Sequence, residues 1–596
     1  MIVLGLEQGH NGTACLMKDG KILAVLSKER FSRKKNDLGY PREEIDWCLN
    51  YAGIKPDQID VVAESTINED MMWLMLKRES DFSIEEYVRE QHEYFKPLLI
   101  EKQKPANQLK WEYFKKLETT RGIKETNYDR SMLSERNFTD SKLSMRIKTK
   151  TILEHLKIDP KKIRFVDHHT CHAHFAYFSS PFRTQTMVLT ADAFGDGLNA
   201  TVSIAKGNNI KRIASTNNCQ LARIYRYITL LLGMKPLEHE YKVMGLAPYS
   251  DSKELDKSYK IFSELMKVEG LEFKWNKKPN DLYFHFKERL EGCRFDGIAG
   301  AVQKMVEEIM VQWVRNAIQR TGIRQVVFGG GLAMNIKLNM IIANMPEVTS
   351  LFVGPNPSDE SNAIGVCYYI ANNHFKQKKK MFPMDHAYFG PEYNQEKILR
   401  MIGNKPDKYN LLQGISNKFI AQKLAEGKTV GICRGRMEFG ARALGNRSIL
   451  ANPSDIHIIK KINNQIKFRN FWMPFTPSIL QERAKDYLVN PKNIDSSFMT
   501  IGFDSTPLAR KDLIAAIHPA DFTVRPQIVT QEVNPQYYDL IKEFEKLTGI
   551  GGVLNTSLNL HGSPMVCSPK DAVEVMDNSE LDMMYFGDIL LIRKNG

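Results

Sequence analysis

Short apolar runs separated by polar turns predict the first elements of the chain. One group of three runs, with Asp19-Gly20 as a hairpin signal inside it, is followed much later by a second group with the same plan. The predicted strands are residues 2–6, 14–17 and 22–26, and then residues 187–190, 200–205 and 210–213. A polar loop follows the first strand of each group. This repetition predicts a duplicated lobe with ligands between its two copies.

Helical patterns occupy other parts of the chain. Residues 67–150 are rich in Lys, Glu, Arg and Met and predict a helical insertion that serves as a lid or faces an acceptor. Apolar positions at helical spacing over residues 302–318 predict a core helix that stops at Thr321-Gly322. The basic stretch at residues 376–380 is interpreted as a solvated linker, and a fresh α/β pattern begins near residue 410. We therefore predict two domains, residues 1–385 and 395–596.

Composition excludes several classes of protein. The chain has 596 residues, is 42% hydrophobic and 26% charged, and carries 83 − 70 = +13 net charges spread along its length. This is a globular composition that favours anionic ligands but predicts no nucleic-acid partner. Eight scattered cysteines without a CxxC pair predict reduced thiols. Glu7 interrupts any leader and no run of 18 apolar residues occurs, so we expect a cytoplasmic protein with no membrane association.

A histidine cluster is the most informative motif. In the stretch DHHTCHAH, His168 and His172 are four residues apart and project from one face of a helix, so they can bind one cation. Carboxylates must complete such a site, and Asp192 and Asp359, each in a polar loop, are the candidates. This donor set suits Fe(II), Mn or Zn. The alternative is a purely structural histidine pair.

Two glycine-containing stretches suggest anion binding. Gly329, Gly330 and Gly331 follow a predicted strand and lead through Asn335 into a helix, so backbone could approach a nucleotide closely, although loop geometry alone explains such glycines equally well. The stretch GRMEFGARALGNRS places three arginines among glycines, as a phosphate cradle requires. Further candidates for that cradle are Lys467, Arg469, Arg525, Gln527, Asn555 and Ser557. Surface ion pairing is the alternative for each single arginine.

His10 is a candidate general base. It stands where the first predicted strand ends, and a neutral imidazole there could take a proton from a hydroxyl near pH 7. A histidine that only satisfies a turn is the alternative. Lys35 ends the charged string ERFSRKK, which alone could be a surface element.

Taken together, these strings resemble a known family. The segments HNGTA, ERFSRKK, DHHTCHA, EYKVMGLAPY, GGGLAMN, GRMEFGARALGNRS and LNTSLN occur in order from end to end. The sequence resembles the O-carbamoyltransferases that modify antibiotics, nodulation factors and paralytic shellfish toxins. The resemblance implies an α/β chain in which a TsaD-like domain of the actin-like ATPase superfold (a duplicated RNase H-like fold) precedes a YrdC-like α/β domain.

The resemblance also implies an activity and a set of site residues. The YrdC-like part would make carbamoyladenylate from carbamoyl phosphate and ATP, with magnesium accompanying ATP, and the TsaD-like part would transfer the carbamoyl group to a small-molecule alcohol beside an iron ion. Motif matching places the metal ligands on His168, His172, Asp192 and Asp359, and the catalytic groups on His10 and Lys35. It places the nucleotide loop on Gly329, Gly330, Gly331 and Asn335. The carbamoyl phosphate contacts fall on Arg442, Lys467, Arg525, Asn555 and Ser557.

Some features depart from the family or stay open. Asn11 stands where the family commonly has an Asp, so a carboxylate that would orient His10 is in question. Met473 stands in place of an Arg, so one phosphate contact is also in question. Ala441 replaces a Pro. The rival interpretations are a tRNA threonylcarbamoyl-modifying enzyme and a non-catalytic, metal-stabilised nucleotide-binding module. The sequence identifies neither the acceptor nor the oligomeric state, for which a homodimer is one option.

Overall fold

The chain divides into two structural units, each assembled from more than one stretch of sequence. A computed structural model describes residues 1–71, 73–75, 82–121, 128–137, 140–373, 381–403 and 407–594. The first unit comprises Met1–Lys28, Asn36–Val353 and Pro357–Pro383. The second comprises Glu29–Lys35, Gly354–Asn356 and Met384–Gly596. Its main segment begins beside the predicted boundary, whereas its two short early segments were not indicated by any sequence pattern. The predicted linker at residues 376–380 lies outside the described residues.

The first unit contains two five-stranded sheets of identical topology. The strand orders are β3-β2-β1-β4-β5 and β8-β7-β6-β11-β12, and β9 pairs with β10 separately. In each large sheet three antiparallel strands are followed by two parallel ones. The repeat predicted from the sequence is therefore confirmed. The strands are β1 Ile2–Glu7, β2 Thr13–Lys18, β3 Lys21–Ser27, β4 Val61–Glu64, β5 Ile163–Phe165, β6 Thr186–Gly195, β7 Leu198–Lys206, β8 Asn209–Thr216, β9 Met266–Glu269, β10 Glu272–Trp275, β11 Gln325–Gly329 and β12 Ser350–Phe352.

Local sequence explains these elements. Asp19 and Gly20 have φ values of 51° and 79°, the left-handed pair that a two-residue hairpin turn requires, and they join β2 to β3 as predicted. Residues 2–6 of strand β1 are apolar, and every residue of the strand but the first is buried, as in the interior of a covered sheet. The long core helix begins seven residues before the predicted stripe, at Phe295, and ends where Gly322 adopts a φ of 69°.

Helices cover the sheets of the first unit. The described part of residues 67–150 contains helices and no strand, in agreement with the predicted insertion. The α-helices of this unit are Arg42–Ala52, Ile84–Glu90, Lys96–Leu99, Ala106–Arg121, Ser141–Leu156, His168–Ser179, Leu221–Leu231, Glu240–Leu246, Ser252–Ser263, Leu282–Arg289, Phe295–Thr321, Ile336–Asn344 and Asn362–Asn373, with a π-helical stretch at Gln91–Phe95.

The second unit is built on an eight-stranded mixed sheet. Its order is β13-β23-β22-β14-β15-β21-β16-β20, and β17, β18 and β19 form a small sheet. The strands are β13 Tyr409–Leu412, β14 Val430–Cys433, β15 Arg447–Ala451, β16 Thr476–Leu480, β17 Leu488–Val489, β18 Phe503–Ser505, β19 Thr523–Val524, β20 Gln527–Val529, β21 Gly552–Ser557, β22 Met583–Tyr585 and β23 Leu590–Arg593. The α-helices are Glu29–Ser32, Gln395–Ile402, Asn417–Ala425, His457–Ile462, Ala484–Tyr487, Pro507–Asp512, Pro535–Thr548 and Pro569–Asp577. A core of aliphatic and aromatic side chains, including Ile449 and Leu554, fills one side of the large sheet.

The cysteines and the longest helices bear on two further expectations from the sequence. All eight cysteines are free and seven of them are buried, as expected for reduced thiols. Within the described part of the chain, no helix combines the length and the apolarity that a membrane crossing needs.

Candidate active site

Four predicted ligands meet in the first unit. His168 and His172 occupy the first and second turns of the helix His168–Ser179, which starts there because the Asp167 side chain accepts a hydrogen bond from the Thr170 amide. Asp192 lies near the end of β6, and Asp359 opens a short 3-10 turn. One ligand atom from each of the four residues lies within 4.8 Å of the others.

The contacts within this cluster are short. His168 Nε2 lies 3.0 Å from His172 Nε2, and both ring nitrogens face Asp192 Oδ2, at 3.1 Å and 3.3 Å. Asp359 Oδ1 lies 3.6 Å and 3.5 Å from the same two nitrogens. Two imidazole nitrogens and two carboxylates that converge in this way form the donor set that a divalent transition metal prefers.

The electrostatics of the cluster favour a cation. Burial opposes charge on His168, but its hydrogen bond to Asp192 and the nearby Asp359 carboxylate outweigh burial and raise the His168 pKa to about 10. Burial also opposes charge on Asp192, yet hydrogen bonds from both histidines hold its pKa well below the usual range. Burial and the neighbouring Asp192 raise the pKa of Asp359. Positive charge among these four side chains is therefore strongly stabilised, so the residues fit a bound cation.

Neutral side chains that the sequence analysis missed surround the ligands. Thr66 Oγ1 lies 3.2 Å from His168 Nδ1, and the Asn362 amide nitrogen lies 3.3 Å from both His168 Nδ1 and His172 Nε2. Contacts to the far ring nitrogen fix the orientation of a metal-binding imidazole. Asn362 stands three residues after Asp359, which is the only local signal that could have indicated it.

The three glycines lie against this cluster. Gly330 has a φ of 91°, its amide donates to the Pro357 carbonyl at 2.8 Å, and a Cβ there would lie 2.3 Å from the Ala191 carbonyl oxygen. A Cβ on Gly331 would lie 2.8 Å from Asp192 Oδ1. Close packing against the ligand strand therefore requires both glycines. Asn335 caps the helix Ile336–Asn344, and its amide also pairs with Gln303. The nucleotide contacts of these four residues stay a prediction.

The two predicted catalytic residues lie in different units. His10 is half-buried within the turn that joins β1 to β2, in the neighbourhood of Glu240, whose pKa is raised by burial. Lys35 belongs to the second unit, where its charge acts on Lys467. Their catalytic roles stay a prediction.

A cationic cluster occupies the second unit. Lys467 ends a π-helical turn at Asn463–Lys467 and is only 4% exposed. Burial, Arg469 and Lys35 together hold its pKa well below the usual range. Burial, Arg442 and Arg469 do the same for Arg525. Arg469 thus repels both Lys467 and Arg525, while Lys35 adds to the repulsion at Lys467 and Arg442 to that at Arg525. An anionic ligand relieves repulsion of this kind.

Oxygen atoms beside the cations hold part of the cluster. Lys467 Nζ donates to the Ser557 carbonyl, to Ser557 Oγ at 3.1 Å and to Asn559. The Asn555 amide donates to the Ala443 carbonyl and to Ser478 Oγ, both at 3.0 Å, whereas its Oδ1 is buried and forms no hydrogen bond with the described residues. The structure therefore brings Ser557 to Lys467 and places Asn555 beneath the arginine loop.

Comparisons with known proteins identify the family of the chain. The family model of the carbamoyltransferase N-terminus matches residues 2–368, and that of the carbamoyltransferase C-terminus matches residues 421–593. The chain belongs to the carbamoyltransferase family.

An uncharacterized protein of Methanocaldococcus jannaschii is 30% identical over 605 residues, covering 99% of both chains. Nodulation protein NolNO of Sinorhizobium fredii is 27% identical over 602 residues, covering 98% of this chain and 79% of that protein. Component A of (R)-2-hydroxyglutaryl-CoA dehydratase from Acidaminococcus fermentans, at 14% identity and a TM-score of 0.31, covers 62% of this chain and 97% of its own, a likeness that carries no argument.

One expectation about the arginine string of this carbamoyltransferase is wrong. Arg447 is fully buried and donates to the carbonyls of Cys567, Arg434 and Pro391, while Arg436 donates to the carbonyl of Phe389. The Arg447 guanidinium therefore fixes the loop and is enclosed by backbone, whereas the half-buried Arg436 only adds a contact to the same region. Of the three arginines in the string, Arg442 alone joins the cationic cluster.

A buried glutamate organises the same loop of the carbamoyltransferase. Glu438 is 1% exposed, and its Oε1 accepts hydrogen bonds from the amides of Leu444 at 2.6 Å, Asn446 at 3.1 Å and Arg447 at 3.1 Å. The carboxylate thereby closes the turn that presents Arg442. The sequence analysis missed this role because a single Glu inside an Arg-rich string carries no signal for it.

Proposed function

We propose that this carbamoyltransferase is an ATP-dependent O-carbamoyltransferase acting on a small-molecule alcohol. Its second unit would form carbamoyladenylate, and its first unit would pass the carbamoyl group to the acceptor hydroxyl. The observation that supports the proposal best is the set of cations Arg442, Lys467 and Arg525, in which burial and repulsion by neighbouring cations both oppose the charge of Lys467 and of Arg525, because such repulsion suits a phosphate-rich ligand. A ligand with the charge of ATP and carbamoyl phosphate relieves that repulsion.

The first step would convert carbamoyl phosphate into carbamoyladenylate through free carbamate. Water cleaves carbamoyl phosphate to carbamate and inorganic phosphate, and the carbamate oxygen then attacks the α-phosphorus of ATP with loss of pyrophosphate. Arg442 and Arg525 would stabilise the phosphoryl oxygens, and Lys467 the leaving phosphate. Asn555 offers a buried oxygen that could accept from the carbamoyl amide.

The second step requires a base and an anion-binding site. His10 would accept the proton of the acceptor hydroxyl while that oxygen attacks the carbamoyl carbon and AMP leaves. His168, His172, Asp192 and Asp359 would hold an iron, manganese or zinc ion, which supplies Lewis acidity toward an anionic oxygen. The burial of His168, His172 and Asp192 would limit the access of bulk water to an intermediate held there.

A mass-spectrometric screen tests the proposal. The enzyme is incubated with ATP, carbamoyl phosphate and a panel of alcohols, and products are sought that are heavier by one carbamoyl group in place of hydrogen. We expect a carbamate ester together with AMP and pyrophosphate. Arg525→Met should lose both pyrophosphate and ester, whereas His10→Gln should keep pyrophosphate release and lose the ester. ADP without any ester, or equal loss of pyrophosphate in both variants, would refute the two-step assignment.

A further inference from the structure

The turn that carries His10 is anchored at every position before the histidine. The Gln8 carbonyl accepts from the Gly39 amide at 2.8 Å, and the Gly9 amide donates to Glu7 Oε1 at 2.6 Å. Glu7 is itself held by the Ser65 hydroxyl. His10 forms no hydrogen bond with any described residue. Its position is therefore set by the backbone that leads into it.

The Gln8 side chain extends this anchoring into the interior. Its amide nitrogen donates to Glu64 Oε2 at 2.7 Å, and its amide oxygen accepts from the Tyr128 hydroxyl at 2.6 Å. Glu64 Oε1 in turn accepts from Lys148 Nζ at 2.7 Å. Gln8, Glu64 and Lys148 are all fully buried, and Tyr128 is 4% exposed. A fully satisfied polar network of this kind holds its members in one arrangement.

The surrounding carboxylates explain why Lys148 can be buried with its charge. Lys148 also lies 3.5 Å from Glu69, and the carboxylates of Glu64, Glu69 and Glu7 together outweigh burial and raise the lysine pKa. Burial raises the pKa of Glu64 to about 7, while Lys148 opposes that shift. The lysine is thus the cation that balances three carboxylates around the turn.

Both outer members of the network come from the helical insertion. Lys148 lies on the helix Ser141–Leu156, and Tyr128 lies in the segment before that helix. We propose that Lys148 and Tyr128 are positioning residues for the transfer step: acting through Glu64 and Gln8, they tie the insertion to the turn that carries His10. The proposal rests on the proposed role of His10 as base, and it gives the insertion a function in placing that base.

Histidine resonances test the proposal without any acceptor. The full-length protein is labelled with 13C at histidine Cε1, and the His10 signal is identified by its loss in His10→Gln. In Tyr128→Phe, and in the double variant Lys148→Met with Glu64→Gln, we expect the His10 signal to shift and broaden while the signals of His457 and His518, which belong to the second unit, stay unchanged. In Lys148→Arg, which keeps the positive charge, the His10 signal should stay close to its wild-type position and width. Tyr113→Phe is the matched control, because Tyr113 is a buried tyrosine of the same insertion whose hydroxyl forms no hydrogen bond with the described residues.

The double variant removes both members of the Lys148–Glu64 ion pair, so neither is left buried without the other, and only Glu7 and Glu69 lose a compensating charge. If it still fails to fold, Tyr128→Phe decides the question alone. A sharp, unshifted His10 signal in the folded network variants overturns the proposal. Pyrophosphate release from ATP and carbamoyl phosphate should stay within about twofold in these variants, whereas the kcat for ester formation, with the alcohol that the screen identifies, should fall about 10- to 100-fold. Ester formation at the wild-type rate in His10→Gln would instead refute the proposed base and leave the anchoring result standing.

Discussion

Glu438 should be the residue on which the arginine loop depends. Replacing it with Ala leaves three buried amides, those of Leu444, Asn446 and Arg447, without their acceptor. Each buried polar group that loses its partner costs about 1–3 kcal/mol, so we expect Glu438→Ala to lose at least about 3 kcal/mol. For a unit of this size that is about 6–12 °C in Tm. Glu438→Gln keeps an acceptor oxygen but loses its charge, and we expect about 1–2 kcal/mol.

Thermal unfolding followed by circular dichroism checks these values. A pyrophosphate-release assay at varied carbamoyl phosphate should show a raised KM in both variants, because the turn that presents Arg442 loosens. Glu482→Gln is the matched control, since Glu482 is a 42% exposed carboxylate that binds Tyr538 and Lys542 at the surface, and we expect its effect to stay within about 0.5 kcal/mol. If Glu438→Ala unfolds at the wild-type temperature, the carboxylate does not organise the loop and the reasoning fails.

Four further predictions address the metal cluster, the cationic cluster and pH. His172→Ala should lower the metal content of the purified protein from about one ion per chain to nearly none, measured by elemental mass spectrometry. Gly195→Ala should weaken metal binding about tenfold or more, because its Cβ would lie 2.1 Å from the His168 ring; unchanged affinity in a chelator competition would contradict this. Arg525→Met should abolish carbamoyl phosphate binding yet raise stability by about 1 kcal/mol, because it removes a buried cation that faces two others; calorimetry measures both. Burial raises the pKa of Glu44 to about 7, although Lys28 opposes the shift. The folded state therefore keeps a proton on Glu44 that the unfolded state releases near pH 4.5. Because of this difference, the stability of the folded state falls as pH rises between these two pKa values. Glu44→Gln should flatten the fall, by up to about 3 kcal/mol, in thermal unfolding between about pH 4.5 and 7; equal slopes would refute the shift.

Local patterns predicted a large part of the fold. The Asp19-Gly20 turn, the repeated three-strand groups and the helix that begins at His168 follow from turn chemistry, strand apolarity and capping, all of which act over a few residues. The assignment of Glu29–Lys35 to the second unit did not follow, because it depends on contacts with residues hundreds of positions away. Arg30 Nη2 donates to the Gly440 carbonyl at 2.6 Å, and no local pattern encodes that contact.

The candidate site shows the same division. Asp192 and Asp359 could be proposed because carboxylates in polar loops are the expected partners of two histidines, and the structure places them there. Thr66 and Asn362 could not be proposed, since neutral polar residues occur throughout the chain and acquire a role only through position. Arg442 and Arg447 belong to the same string, and only the structure shows that Arg447 is buried on backbone carbonyls while the charge of Arg442 acts on Arg525.

The phosphorus products of one turnover test the central claim most directly. Phosphorus NMR of the enzyme with ATP, carbamoyl phosphate and the acceptor found in the screen should show one AMP, one pyrophosphate and one inorganic phosphate for each carbamate ester formed. Accumulation of ADP in place of AMP, or ester formation at an unchanged rate when ATP is omitted, would contradict activation through an adenylate.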